Sequence, residues 1–256
     1  MEINQTNIAI IFAGGLGTRL KNVVPKQFLE INGKPILIHT LLNFQNHPEI
    51  DKIYISILAE YLDYTKDLIK KYNISKVTSV IEGGSSAMES IYKALIEARK
   101  ENSGDSIVLI HDGVRPIITN KVISDNIRSV KECKTAITAI PCNETILISK
   151  DGITPNIVPI RKETFKAQAP QGFLLDEIIE AHNSVNSYEN IVDNCTLYKS
   201  LGKEVHLIKG NFGNIKVTTK EDIYILKGIL DFIKENNDNI GWRYKRNNKK
   251  PDYGRI

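Results

Sequence analysis

Cysteine is scarce in this 256-residue chain: Cys133, Cys142 and Cys195 are the only three, and no two form a CxxC pair. An odd, widely spaced set builds neither a disulfide framework nor a zinc site, and it fits a reducing compartment, so a cytoplasmic protein is expected. No apolar run approaches the roughly 20 residues that cross a bilayer, so no membrane span is expected. The opening Met1-Glu2-Ile3-Asn4-Gln5 has no basic n-region, so no secretory signal is expected either. Internal repeats are absent. With 41% hydrophobic and 25% charged residues, the composition excludes a fibrous or wholly disordered chain.

Charge of one sign is also missing over most of the length. Of 34 basic and 30 acidic residues, six basic and one acidic fall in 241–256, leaving 28 against 29 across 1–240. The formal +4 therefore belongs to the tail, and the body is no basic nucleic-acid binder. The tail, 236–256, mixes Trp242, Tyr244 and Tyr253 with its cations. That mixture superficially resembles a single-strand binder, but it has no periodicity, and nucleic acid is not expected as a partner.

What is present is an alternation of short apolar runs and helical patterns. Residues 8–13, 52–58, 77–81 and 106–111 read as strands; 35–44, 62–72, 89–100, 175–184 and 221–234 have helical apolar spacing. Ile8-Ala-Ile-Ile-Phe12 is apolar at every position, which predicts burial on both faces, as in a parallel sheet. The pattern predicts an α/β fold with a mostly parallel sheet flanked by helices. Residues 136–140 and 145–149 read as further strands, with a turn at Lys150-Asp151-Gly152, and 204–208 as a late strand. The piece at about 138–165 breaks the alternation and reads as an antiparallel arm on a single domain spanning 1–235.

Directly after the first strand comes Ala13-Gly14-Gly15-Leu16-Gly17-Thr18-Arg19-Leu20. Glycines there let backbone N–H groups converge on a phosphate. The loop lacks the Lys-Ser/Thr of a Walker A motif, and Leu20 stands where a dinucleotide fingerprint needs its third glycine. Arg19 and Lys26 add cations instead, which suits a triphosphate. The plainer reading is a strand-to-helix turn with solvated basic residues. There is no Ser/His/Asp triad signal.

Ala13-Gly-Gly-Leu-Gly-Thr-Arg19 with Pro25-Lys-Gln-Phe28 resembles the opening signature of cytidylyltransferases acting on polyol phosphates. That family has ribitol-5-phosphate and 2-C-methyl-D-erythritol 4-phosphate branches. The resemblance runs in order through Lys34-Pro-Ile-Leu-Ile-His39, Gly83-Gly84 with Ser90, His111-Asp-Gly-Val-Arg-Pro116, Glu144-Thr145 and Pro159-Ile-Arg161. It continues through Gln168-Ala-Pro-Gln-Gly-Phe173 and Asn214-Ile-Lys-Val-Thr-Thr219. It implies a Rossmann-like fold, CTP and a polyol phosphate as substrates, Mg²⁺ as cofactor, and a homodimer built by exchange of the arm.

By this resemblance Arg19, Lys26 and Lys216 surround the triphosphate. Ala13, Gly14, Gly15, Gly17, Gly84, Ser85 and Ser90 hold the nucleotide. Asp112, Arg115, Thr145, Arg161 and Asp193 face the acceptor, with Arg161 supplied by the partner's arm. Asp112, at a strand end, is also the acidic candidate for Mg²⁺; otherwise it is a turn cap. Lys216 otherwise reads as a surface lysine, His111 as a packed structural histidine, and Asp222 as a first-turn acid on the last helix. Departures from the family pattern are Ser85 and Ala87, where an acid and an arginine are usual, and Ala169 and Val192, where threonine is usual. The wording of the first loop and of Val217-Thr-Thr219 is nearer the ribitol branch, so an open-chain polyol phosphate such as ribitol or glycerol phosphate is expected, leading to a cell-surface polymer. The alternatives are a methylerythritol phosphate enzyme, a sugar-phosphate nucleotidyltransferase using another base, and a non-catalytic nucleotide-binding protein.

Overall fold

In the computed structural model, which describes residues 5–15 and 24–235, the apolar run after Thr6 forms strand β1 (Asn7–Phe12). A hairpin, β2 (Glu30–Ile31) and β3 (Lys34–Pro35), leads into α1 (Ile36–Gln45). Then follow β4 (Lys52–Ile57), α2 (Leu62–Lys71), β5 (Val77–Glu82), α3 (Ala87–Arg99), β6 (Ile107–Asp112) and α4 (Asn120–Cys133). The chain continues through β7 (Thr135–Pro141), β8 (Phe165–Leu174), α5 (Leu175–Asn183), α6 (Asn194–Ser200), β9 (Leu207–Lys209) and α7 (Lys220–Glu235).

The large sheet has the order β5-β4-β1-β6-β8-β7-β9. Only β8 is antiparallel to its neighbours. Residues of β1 alternate between two cores, as the pleat requires. Ala9 and Ile11 pack with α1, α2 and α4 on one face, while Ile8 and Ile10 pack with α3, α5 and α6 on the other. All four are fully buried, which explains the unbroken apolar run. Each such isoleucine contributes about 1.5–3 kcal/mol of burial. A smaller cluster, Val114, Ile117, Val217 and Leu226 among its members, seats α7 beside the sheet.

Three parts of the sequence pattern resolve differently. Helices α4 and α6 form where no helix was expected. In α4, low-propensity Asn and Ser residues dilute the pattern, but Val122, Ile123, Ile127 and Val130 meet the core, and Thr119 Oγ1 caps Val122 N. Strand β8 was hidden by Pro170 and Gly172; its register against β7 shifts between Ile137 and Ala139, next to the residue that has no N–H to donate. The late strand begins at Leu207, later than the spacing suggested.

The expected strand at 145–149 does not form. Between β7 and β8 the only bridge outside named strands joins Ile148 and Ile157. The turn between them is as expected: Gly152 has φ +74°, and Asp151 Oδ1 accepts from Ile153 N and Thr154 N at 2.8 Å each. The segment is rich in apolar side chains that no described residue covers. Ile153 is 88% exposed, and Leu147, Ile148, Ile157, Val158 and Ile160 are exposed too.

Candidate active site

The chain runs from β1 outward to β4 and β5, then returns to place β6 on the other side of β1. This reversal opens a crevice at the carboxyl ends of β1 and β6, the usual ligand position in such sheets. Asp112 ends β6 there, in register with Phe12. Its Oδ1 accepts from Lys216 Nζ at 2.6 Å and its Oδ2 from Arg115 Nε at 2.8 Å. Asp112 is nearly buried, which by itself pushes its carboxyl up, but Lys216 and Arg115 together hold it down at about 2. These three residues line a cleft of about 190 Å³ with Phe12, Gln168 and Asp193.

Arg115 is held on both sides. Beyond Asp112, its Nη1 donates to the Asn214 carbonyl at 2.9 Å. Lys216 rides on a segment with no helix or strand, its Nζ 6.0 Å from the Phe12 ring centre. His111 is structural, as read: fully buried, edge-on to Phe44, with Nε2 3.0 Å from the Arg115 carbonyl. Burial pushes its pKa down to about 4 and keeps it neutral.

A second cleft, about 460 Å³, opens at the ends of β4 and β5, among Leu58, Glu82, Gly83, Gly84, Ser85 and Lys93. Ser90, 1% exposed, closes the glycine loops around it. Its Oγ accepts from Gly84 N at 2.9 Å and donates to the Ser86 carbonyl at 2.8 Å. A Cβ on Gly83 would lie 2.8 Å from this oxygen and one on Gly14 3.1 Å, so the hydroxyl would have to shift for a side chain at Gly83 and give slightly for one at Gly14. Ser85 N and Oγ both donate to the Glu89 carboxylate, at 2.8 and 2.7 Å, which lowers the Glu89 pKa. Ala13 is buried, and its carbonyl receives Gln27 Nε2 at 2.8 Å.

The structure thus gathers Asp112, Arg115, Lys216 and Asp193 in one cleft, and Gly84 and Ser85 in a neighbouring one. Gly15 is exposed, and Lys26 is half-buried in a 3₁₀ turn. Gly17, Arg19 and the tail 236–256 lie outside the described residues. Thr145 and Arg161 meet each other, Arg161 Nη2 donating to Thr145 Oγ1 at 3.3 Å, but neither lines the Asp112 cleft of its own chain. Asp193 caps α6 through Thr196 N and also accepts from Gln171 Nε2 at 2.9 Å. Sequence reasoning missed Gln168, Gln171 and Asn214 as parts of this site. All three lie inside the motifs used for the resemblance, but only their buried contacts mark them out.

Asp112, the acidic candidate for Mg²⁺, presents its two oxygens to Lys216 and Arg115 in this structure. Among the described residues no three His, Cys, Asp or Glu side chains are grouped to hold a metal.

A Rossmann-like sheet with glycine loops and a lysine–arginine pair at its switch point has the parts that nucleotidyl transfer needs. The chain belongs to the IspD family, 2-C-methyl-D-erythritol 4-phosphate cytidylyltransferase, which it matches over residues 7–231. Ribitol-5-phosphate cytidylyltransferase from Streptococcus agalactiae serotype III (strain NEM316) is 40% identical over 228 residues, 88% of this chain and 95% of that protein. Its namesake from Vibrio parahaemolyticus serotype O3:K6 (strain RIMD 2210633) is also 40% identical, over 88% and 96%. Among solved structures, 4-diphosphocytidyl-2C-methyl-D-erythritol synthase from Anaerococcus prevotii DSM 20548 matches with a TM-score of 0.76 and 28% identity, over 89% of this chain and 96% of that one. The Francisella tularensis 2-C-methyl-D-erythritol 4-phosphate cytidylyltransferase gives 0.74 and 28%, over 88% and 99%. No helix among the described residues is long and apolar enough to cross a membrane.

Proposed function

We propose that this cytidylyltransferase moves the CMP unit of CTP onto ribitol 5-phosphate or a similar open-chain polyol phosphate, in the cytoplasm, for a cell-surface polymer such as a teichoic acid. An acceptor phosphate oxygen attacks the α-phosphorus. The bond from that phosphorus to the β-phosphate bridging oxygen breaks, and pyrophosphate leaves with the electron pair. Both reactants are anionic, so catalysis consists of positioning and charge stabilisation. The observation that carries the reading is the Lys216–Asp112–Arg115 cluster at the switch point, where Lys216 can leave Asp112 for a phosphate oxygen. Arg19 and Lys26 supply further charge from the first loop, and Asp193 and Arg115 border the acceptor.

Mg²⁺ would enter with the triphosphate rather than reside on a protein cage, because magnesium favours substrate phosphates with few carboxylates. The uncovered arm supports a homodimer: burying Leu147, Ile148, Ile157, Val158 and Ile160 needs a second surface, and Arg161 with Thr145 would then serve the partner's cleft.

The test is pyrophosphate release by the purified protein with CTP and a panel of polyol phosphates. Turnover with ribitol 5-phosphate well above that with methylerythritol phosphate is expected. The second reading, methylerythritol phosphate as acceptor, is favoured by the names of the structural neighbours; the reverse preference would establish it. Competition among CTP, UTP, ATP and GTP tests the base, and silence with every acceptor would sink the catalytic reading.

A further inference from the structure

The segment that carries Lys216 has no ladder of its own. From Asn211 to Thr219 the backbone is neither helix nor strand, and the Lys216 side chain is 43% exposed. A lysine on such a support would sample many rotamers, yet its Nζ sits 2.6 Å from Asp112. On its C-terminal side the segment is tied by Val217 N to the Val114 carbonyl at 3.0 Å, with Val217 fully buried. On its N-terminal side the tie is Asn214, also fully buried. Its Nδ2 donates to the Ala169 carbonyl on β8 at 2.6 Å. Its own carbonyl accepts from Arg115 Nη1 at 2.9 Å and from Gln168 Nε2 at 3.3 Å. Asn214 therefore joins the segment of Lys216 to β8 and to the arginine that shares Asp112 with that lysine.

We propose that Asn214 is a positioning residue that sets the reach of Lys216 into the cleft. The inference rests on the reading of Lys216 as a phosphate-binding group. Asn214 touches no reacting atom; its side chain holds the segment to β8 through the Ala169 carbonyl, and that anchor keeps its backbone carbonyl in place for Arg115. An error near 1 Å in such a group costs about 100-fold in rate, so the effect of losing the anchor falls on turnover.

The experiment compares Asn214→Ala and Asn214→Ser in the wild-type and Lys216→Gln backgrounds, assaying pyrophosphate release from CTP and the best acceptor, with thermal melting of each protein. In the wild-type background kcat is expected to fall about 10- to 100-fold while both KM values move less than about threefold. In the Lys216→Gln background the same substitutions should cost less than about twofold, because the residue they position is already gone. Equal losses in both backgrounds, or a loss confined to KM, would overturn the proposal; the kcat–KM division decides alone if the Lys216→Gln protein is silent. Failure of both variants to fold would assign Asn214 to the core instead and overturn it too. If Lys216→Gln itself turns over like wild type, the underlying reading of Lys216 fails, a result distinct from an inert Asn214.

Discussion

Lys216 and Arg115 share one carboxylate, and this sharing sets what single substitutions do. On the proposed reading, Lys216→Ala removes the charge that meets a phosphate. It should lower kcat about 100- to 1,000-fold, the usual cost of losing one such donor, with an unchanged far-UV spectrum. Asp112→Asn does the opposite: it leaves two cations facing each other at the end of β6. Breaking a buried pair costs about 3–5 kcal/mol, and the lower end applies because Lys216 is 43% exposed; a urea titration reads this directly. The carboxyl of Asp112 is held at about 2, below its unfolded value of about 3.9. Its contribution is therefore complete above pH 4 and is lost as pH falls toward 2.

Among the elements, the arm and the start of α7 make separate predictions. The arm's apolar side chains are exposed in a single chain, so Ile148→Ser with Ile157→Ser should shift sedimentation from dimer to monomer and leave each subunit folded. Arg161→Ala, in turn, should raise the KM for the acceptor more than that for CTP; equal acceptor affinity would remove Arg161 from the pocket. At α7, Asp222 Oδ2 accepts from Thr218 N at 2.7 Å and Thr219 N at 2.8 Å, the helix-start role read from the sequence. Asp222→Ala should cost about 1 kcal/mol by denaturant titration, the value of a lost cap.

For the molecule as a whole, two neutral histidines shape the acid limb of stability. Burial holds His111 and His182 at about 4, far below the unfolded value of about 6.5. The unfolded chain binds their protons first, so stability is complete above pH 6.5 and is lost as pH falls toward 4. The urea midpoint should drop between pH 7 and pH 5, by less when His182, which lies 2.7 Å from Tyr188 Oη and 3.1 Å from Asn194 Oδ1, is replaced by Gln. On the proposed reading, chelating divalent ions should stop turnover without moving the melting temperature, since among the described residues no His, Cys, Asp or Glu cluster is grouped to hold a metal.

The order of strands and helices, the two-sided burial of β1 and the placing of Asp112 at a strand end were all legible in residues 7–112, because apolar periodicity reports burial directly. The glycine loops stood out as motifs in the sequence, and Lys216 did so only through the resemblance. Strand β8 was not, because Pro170 and Gly172 carry the wrong local propensity and only pairing with β6 and β7 overrides it. The Lys216–Asp112 contact and the Asn214 anchor were equally hidden: Asn214 reaches Ala169 across 45 positions and Arg115 across 99, and no local pattern encodes a contact that exists only once the sheet has closed.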